Sequence, residues 1–308
     1  MQDASVGIIG TGWVGTSVAI STLHASAARR LLLHDQRESV AEGEAMDLSH
    51  GSSFYPRAEV AHASIEELQG TGVLVVAAGR GGAADETRLQ LLQSNARIIA
   101  ELGHRFSEYQ GIVVIVTNPV DVLTRVFHEA SGLPAERVIG TGTTLDTARL
   151  RDTLGRELGV DPRSVHAQVI GEHGDSEVCV WSGAAVGGRP IRSWPGWTAA
   201  REDRIALEVR EAAYRIIERK GATNHAIGLV TADLIRGMLR DERRVLTVSR
   251  VQNGPFGIDG VALSLPTVVG MTGADEVVEP ELDDDELARL QRSAEVLASA
   301  FASVGPNV

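Results

Sequence analysis

Cysteine is almost missing from this 308-residue chain: Cys179 stands alone, so no internal disulfide can form and an oxidising compartment has nothing to offer the fold. That points to a cytoplasmic setting. Lysine is equally scarce, since Lys220 is the only one among 29 basic side chains, a skew that reads as genome composition and carries no function. Basic charge is outnumbered by 41 acidic residues, which leaves a net charge of −12. A field of that sign repels phosphate backbones and anionic lipid, and argues against nucleic acid or a membrane surface as partner. Long apolar runs are absent too. The first, Val6 to Ile9, ends at Gly10, too soon for the core of a signal peptide, and none approaches the roughly 20 residues of a membrane span. There is no internal repeat and no low-complexity linker. What is present is a 43% hydrophobic chain, enough for one large core or two modest ones.

Short apolar runs bounded by Gly, Asn or Asp alternate with longer helical patterns through the first half, the rhythm of a parallel α/β sheet. Strands are expected at Val6–Gly10, Leu31–His34, Val73–Ala77, Ile112–Val116 and Val138–Gly140, with helices at Val14–Ala28, Val40–Ser49, Thr87–Phe106 and Pro119–Ser131. Repeated strand–helix units predict a doubly wound, Rossmann-type sheet. From about residue 146 the pattern changes to a helix at Asp146–Leu158, strands around Val165–Ile170 and Val178–Trp181, and two helices flanking Lys220–Asn224. Strands near Val245–Ser249 and Val261–Val269 follow, and then a closing amphipathic helix from about Asp283 to Val304. The expectation is a dinucleotide-binding domain at 1–142 and an α+β substrate-binding and catalytic domain at 143–308.

Gly10-Thr11-Gly12-Trp13-Val14-Gly15 follows the first strand and opens the first helix, where backbone can approach a pyrophosphate and offer it helix N-terminal amides. The glycine spacing alone is weak. Asp35, twenty residues after Gly15 at the end of the second strand, strengthens it, because a carboxylate there bonds a ribose 2′-hydroxyl and repels a 2′-phosphate. NAD is therefore expected rather than NADP. Gly10, Gly12, Val14, Gly15 and Asp35 are the cofactor-binding candidates, with Gly79 and Asn118, which follow strands at their carboxyl ends.

Gly171-Glu172-His173-Gly174-Asp175 sets a histidine among glycines after an apolar strand, which suits a side chain that a ligand must approach closely. Asp146, at a helix start, is a candidate orienting carboxylate, and an imidazole paired with a carboxylate can donate a proton near neutral pH. Read by itself, one loop histidine among nine is better explained by having no chemical role.

The surroundings decide between these. The glycine loop, Thr117-Asn118-Pro119-Val120-Asp121, Gly140-Thr141-Gly142-Thr143-Thr144-Leu145-Asp146-Thr147-Ala148-Arg149 and Gly171-Glu172-His173-Gly174-Asp175, together with Glu86-Thr87-Arg88-Leu89 and Lys220-Gly221-Ala222-Thr223, resemble the lactate/malate dehydrogenase family in order and spacing across essentially the whole chain. The resemblance implies an NAD-dependent oxidoreductase acting on small L-2-hydroxy and 2-oxo acids. It further implies that His173 donates a proton to the substrate carbonyl oxygen, that Asp146 orients and charges the imidazole, and that Arg149 grips the substrate carboxylate with a planar fork. Arg88 would polarise the carbonyl from a mobile loop, Asn118 would bond near the carbonyl and the nicotinamide ribose, and Thr223 would line the pocket. No metal is called for.

Six residues before Arg88, where malate enzymes of the family carry Arg and lactate enzymes Gln, this chain has Gly82. A malate-type substrate would then need Arg80 or a rearranged loop to meet its second carboxylate. Glu86, Thr223 and the Glu177–Ser182 segment lean to the lactate type, and the missing side chain at 82 leaves room for 2-oxo acids larger than pyruvate. A further alternative is a non-catalytic sensor of the NADH/NAD ratio, which would have no use for His173, Asp146, Arg149 and Arg88 together. The resemblance also places Arg151 and His166 where allosteric bacterial members bind fructose 1,6-bisphosphate between subunits, against the plain reading of a surface arginine and a strand-start histidine. A homodimer or homotetramer is expected.

Overall fold

The computed structural model describes residues 4–81 and 86–305. Its first half alternates strands and helices: β1 (Ser5–Ile9), α1 (Trp13–His24), β2 (Arg30–His34), α2 (Glu38–His50), β3 (Glu59–His62), α3 (Ile65–Leu68), β4 (Val73–Val76), α4 (Arg88–Arg105), β5 (Ile112–Ile115), α5 (Val120–Ser131) and β6 (Val138–Gly140). The second half runs α6 (Thr144–Leu158), β7 (Val165–Ile170), β8 (Val178–Val186), β9 (Arg189–Pro190), α7 (Ala199–Lys220), α8 (His225–Leu239), β10 (Arg244–Asn253), β11 (Asp259–Gly270), β12 (Gly273–Val277) and α9 (Asp284–Ala302).

One sheet has the order β12-β11-β10-β6-β5-β4-β1-β2-β3. Its members from β3 to β6 are parallel, and the strand order reverses between β1 and β4, the switch point beside which open α/β sheets bind ligands. β10 joins antiparallel through Ser249 opposite Gly140 and carries β11 and β12 outward. The central strands are apolar throughout because both faces are covered. Along β4, Leu74 and Val76 enter one core while Val73 and Val75 enter the other, and β5 repeats the alternation with Val113 and Ile115 against Ile112 and Val114. The first core is closed by α4, α5 and α9, the second by α1, α2 and α8. Each fully buried Val, Leu or Ile contributes about 1.5–3 kcal/mol relative to exposure. A third core, with Leu150, Leu154, Val169, Trp181, Ile205 and Val209, binds α6 and α7 to the antiparallel β7-β8-β9 sheet.

The expected doubly wound parallel sheet with an α+β second half is the fold that forms. Besides the two-residue β9, the strands β3 and β12 lie outside the expected elements. They are the two edges of the large sheet, and Glu59-Val-Ala-His and Gly273-Ala-Asp-Glu-Val carry the charge that keeps an edge from pairing with another chain. Helix α1 is also shorter than its apolar pattern. It stops at His24 because Ser26 takes φ 52°, turning the chain so that Arg29 N–H reaches Ala4 O at 2.7 Å and β2 starts alongside β1.

Candidate active site

The glycine loop is built by close approach of backbone. Gly10 has φ 93°, and a Cβ there would lie 2.7 Å from Ala78 N; a Cβ on Gly15 would lie 1.8 Å from Gly10 O. Only glycine fits either place. Gly12, the N-cap of α1, faces open space and caps the helix with no side chain, so the first-turn amides are left for a ligand. Val14 is half-buried in that turn. Asp35 closes the loop from the end of β2: Oδ2 accepts from Thr11 N at 3.0 Å and Thr11 Oγ1 at 3.2 Å, and Oδ1 accepts from Arg37 N at 3.0 Å. Burial alone would raise its pKa, but these bonds and the Arg37 charge bring it below the usual value, so Asp35 stays an acceptor for ribose hydroxyls. Gly79 follows β4 under the Thr117 methyl, 2.6 Å from where a Cβ would stand, and exposed Asn118 follows β5 ahead of the cis peptide to Pro119. All these residues lie past the carboxyl ends of β1, β2, β4 and β5, the four strands centred on the switch point, and they fit a dinucleotide with a free ribose hydroxyl.

Asp146 is the hub of the catalytic end. It lies in the first turn of α6, only 2% exposed, and its two oxygens face different partners: Oδ2 is 2.5 Å from His173 Nδ1, and Oδ1 accepts from Arg149 Nη1 at 2.7 Å. His173 sits between β7 and β8 on a loop pinned from three sides. Its N–H donates to Asp121 Oδ2 of α5 at 2.8 Å, Glu172 N–H donates to Ser293 Oγ of α9 at 2.8 Å, and Gly171 exchanges backbone bonds of 2.9 Å with Ser264 of β11. With Nδ1 engaged by Asp146, Nε2 is the nitrogen left for a substrate. Burial pulls the imidazole pKa down, but the charge and hydrogen bond of Asp146 outweigh it and raise the value to about 9. Burial likewise opposes ionisation of Asp146, yet the His173 and Arg149 charges hold it below the ordinary carboxylate value. At neutral pH the pair is an imidazolium on a carboxylate.

Arg149 is mostly buried, and the bond to Asp146 is its guanidinium's only hydrogen bond among the described residues, so the rest of the fork is available. Arg88 is the first residue of α4, whose N-cap Thr87 forms a capping box with Gln90. It is exposed, pairs with no carboxylate among the described residues, and feels Tyr214 of α7, whose hydroxyl donates to Asp175 Oδ1 at 3.0 Å beside the His173 loop. Thr223 is half-buried in the α7–α8 turn, which Asn224 ties to Ser17 of α1 at 3.0 Å. Gly82 lies outside the described residues. Arg80 is engaged elsewhere: its guanidinium pairs with both oxygens of Glu86 and donates to Ser94 Oγ at 2.7 Å. Arg151 donates to Ala167 O at 2.9 Å, next to exposed His166 on β7.

Asp121, Ser264 and Ser293 hold the His173 loop without having been singled out by sequence. For Asp121 a signal existed, an acid set between the apolar Val120, Val122 and Leu123 at the start of α5. The two serines gave none, since they are small polar residues brought in from more than 90 positions away along the chain.

Comparison with known proteins agrees with this geometry. The lactate/malate dehydrogenase NAD binding domain matches residues 4–140, and the lactate/malate dehydrogenase alpha/beta C-terminal domain matches residues 143–305. The chain belongs to the lactate/malate dehydrogenase family. It is similar to the L-lactate dehydrogenase of Salinibacter ruber, with 45% identity covering 99% of this chain and 98% of that one. The L-lactate dehydrogenase of Thermus aquaticus is 43% identical over 97% of this chain and 99% of its own. Among solved structures, the ligand-bound minor L-lactate dehydrogenase of Enterococcus mundtii superposes with a TM-score of 0.95 at 38% identity, over 98% of both chains. As a member of this family the protein is an NAD-dependent oxidoreductase, and none of its described helices is long and apolar enough to cross a membrane.

Proposed function

We propose that the protein is an L-lactate dehydrogenase that interconverts pyruvate and L-lactate, in the cytoplasm and as a homo-oligomer. One observation carries the reading: a single buried carboxylate, Asp146, holds both a proton donor and a carboxylate-gripping guanidinium. NADH bound along Gly10–Gly15, Asp35, Gly79 and Asn118 supplies the hydride. Arg149 takes the carboxylate of the 2-oxo acid and thereby sets which end of the molecule meets His173. His173 then donates its Nε2 proton to the carbonyl oxygen, while Asp146 keeps Nδ1 protonated and the ring in plane. Arg88 places positive charge beside the developing alkoxide, Asn118 bonds near the carbonyl, and Thr223 lines the pocket. The chain divides near residue 142 into a cofactor part and a substrate part.

Pyruvate is favoured over oxaloacetate because Arg80, the cation a second carboxylate would need, is bound by Glu86 and Ser94. The regulatory part of the proposal rests on a cavity of about 260 Å³ lined by Arg151, Arg163 and Arg244, three guanidinium groups against the one carboxylate of Asp233, which suits a sugar bisphosphate; His166, exposed on β7, is not part of its lining. Self-association is supported by Trp13, Ile20, Met46 and Leu229, large apolar side chains exposed on α1, α2 and α8.

The test is NADH oxidation with pyruvate, oxaloacetate and 2-oxoisocaproate side by side, each with and without fructose 1,6-bisphosphate. Pyruvate or the bulkier acid is expected to lead, with activation by the bisphosphate; a lead for oxaloacetate overturns the substrate assignment. The pH dependence has a fixed sign. Reduction needs the imidazolium and is expected to fall above about pH 9, whereas lactate oxidation needs the neutral ring and is expected to rise over the same range.

A further inference from the structure

Four residues after His173, Glu177 closes the catalytic loop and leads into β8, its N–H donating to Gly174 O at 3.2 Å. Its side chain is 6% exposed, and Oε1 has no hydrogen-bond partner among the described residues. The other two buried glutamates are different. Glu202 accepts from Arg192 and Trp197, and Glu286 accepts from Trp181, Ser182 and Asp283, so both oxygens of each are satisfied in a structural role. A buried carboxyl left partly unmet is costly, and its neighbours here belong to the catalytic machinery.

The charges that act on Glu177 are Asp146 and Arg149 of α6, His173 of its own loop and Arg210 of α7, and Glu177 in turn acts on Cys179, two residues along on the same face of β8. Arg210 Nε is likewise buried with no hydrogen-bond partner among the described residues. Asp121, under the His173 backbone, completes the acidic side of the cluster. Burial first, and then the charge of Asp146, push the Glu177 pKa up to about 8, so near neutrality Glu177 is a neutral acid and the Asp146–His173 pair stands alone. An ionised Glu177 attracts the imidazolium, so the two charges oppose the loss of the His173 proton.

We propose that Glu177 is a positioning residue that, by ionising beside the Asp146–His173 pair, keeps the proton on His173 into the alkaline range. No atom of Glu177 need touch the substrate. The consequence is a reductase whose proton donor survives to higher pH than the pair alone would allow. The inference rests on His173 as the proton donor of the proposed reaction.

The experiment compares the parent with Glu177→Gln, which keeps shape and removes ionisation. Two readouts are taken: the pH profile of kcat/KM for pyruvate reduction, and the NMR titration of the His173 imidazole without substrate, assigned by its loss in His173→Asn. In Glu177→Gln both midpoints are expected about one pH unit lower, with kcat at pH 7 within about threefold of the parent. Glu177→Ser, equally neutral, is expected to shift them likewise, and Glu177→Asp to restore them. An unmoved NMR midpoint, or a uniform loss of rate at every pH, overturns the proposal. A parent that reduces no 2-oxo acid while its His173 midpoint still depends on Glu177 defeats the assigned reaction and leaves the coupling standing.

Discussion

His173→Asn is expected to lower pyruvate reduction by about a thousandfold or more while leaving NADH binding, followed by quenching or enhancement of the cofactor's fluorescence, near the parental value. Asparagine keeps the backbone N–H that Asp121 accepts and has an amide that can still meet Asp146, so the loop between β7 and β8 retains its anchors. What disappears is the imidazolium proton that the proposed reaction delivers to the carbonyl oxygen. The cofactor loop at Gly10–Gly15 and Asp35 belongs to other elements and shares no hydrogen bond with His173. A protein that only sensed the NADH/NAD ratio would show no turnover to lose. Parent activity that survives the substitution undiminished would remove His173 from the mechanism, and absence of activity in the parent would bring the sensor back.

The parts of this protein that are local in sequence were readable there, and the parts assembled from a distance were not. The strand, glycine turn, helix and Asp35 fall within one short stretch of chain, and each is dictated by backbone: Gly10 and Gly15 stand where a Cβ would collide with main-chain atoms. Asp146 and Arg149 are three residues apart on α6, a spacing that puts both on one helical face. Ser293 and Ser264, by contrast, reach the His173 loop from α9 and β11, and nothing about either residue announces it. The edge strands β3 and β12 escaped because an edge is selected for charge and brevity, against the apolar signal by which strands are found. Glu177 lay in view as one acid at the head of an apolar strand. Its meaning came only from burial and from its proximity to Asp146.

Arg149→Lys retains the positive charge and is nevertheless expected to reduce kcat/KM for pyruvate about 10- to 150-fold, the effect of losing about 1.5–3 kcal/mol of charge-assisted hydrogen bonding. An ammonium is a point charge on a flexible stem. It can meet one carboxylate oxygen or Asp146 Oδ1, but it cannot present two parallel N–H groups to a substrate while a third holds Asp146. Two routes to the loss can be separated by a carbonyl substrate that lacks the carboxylate. If Arg149 grips the substrate, such a compound reacts slowly with the parent and loses little more in the lysine variant. Should it lose as much as pyruvate does, the arginine acts through Asp146 on the charge of His173 instead, and the alkaline limb of the pH profile is then expected to move with it. Equal kcat/KM for pyruvate in the two proteins would show that charge alone suffices and that the fork is not used.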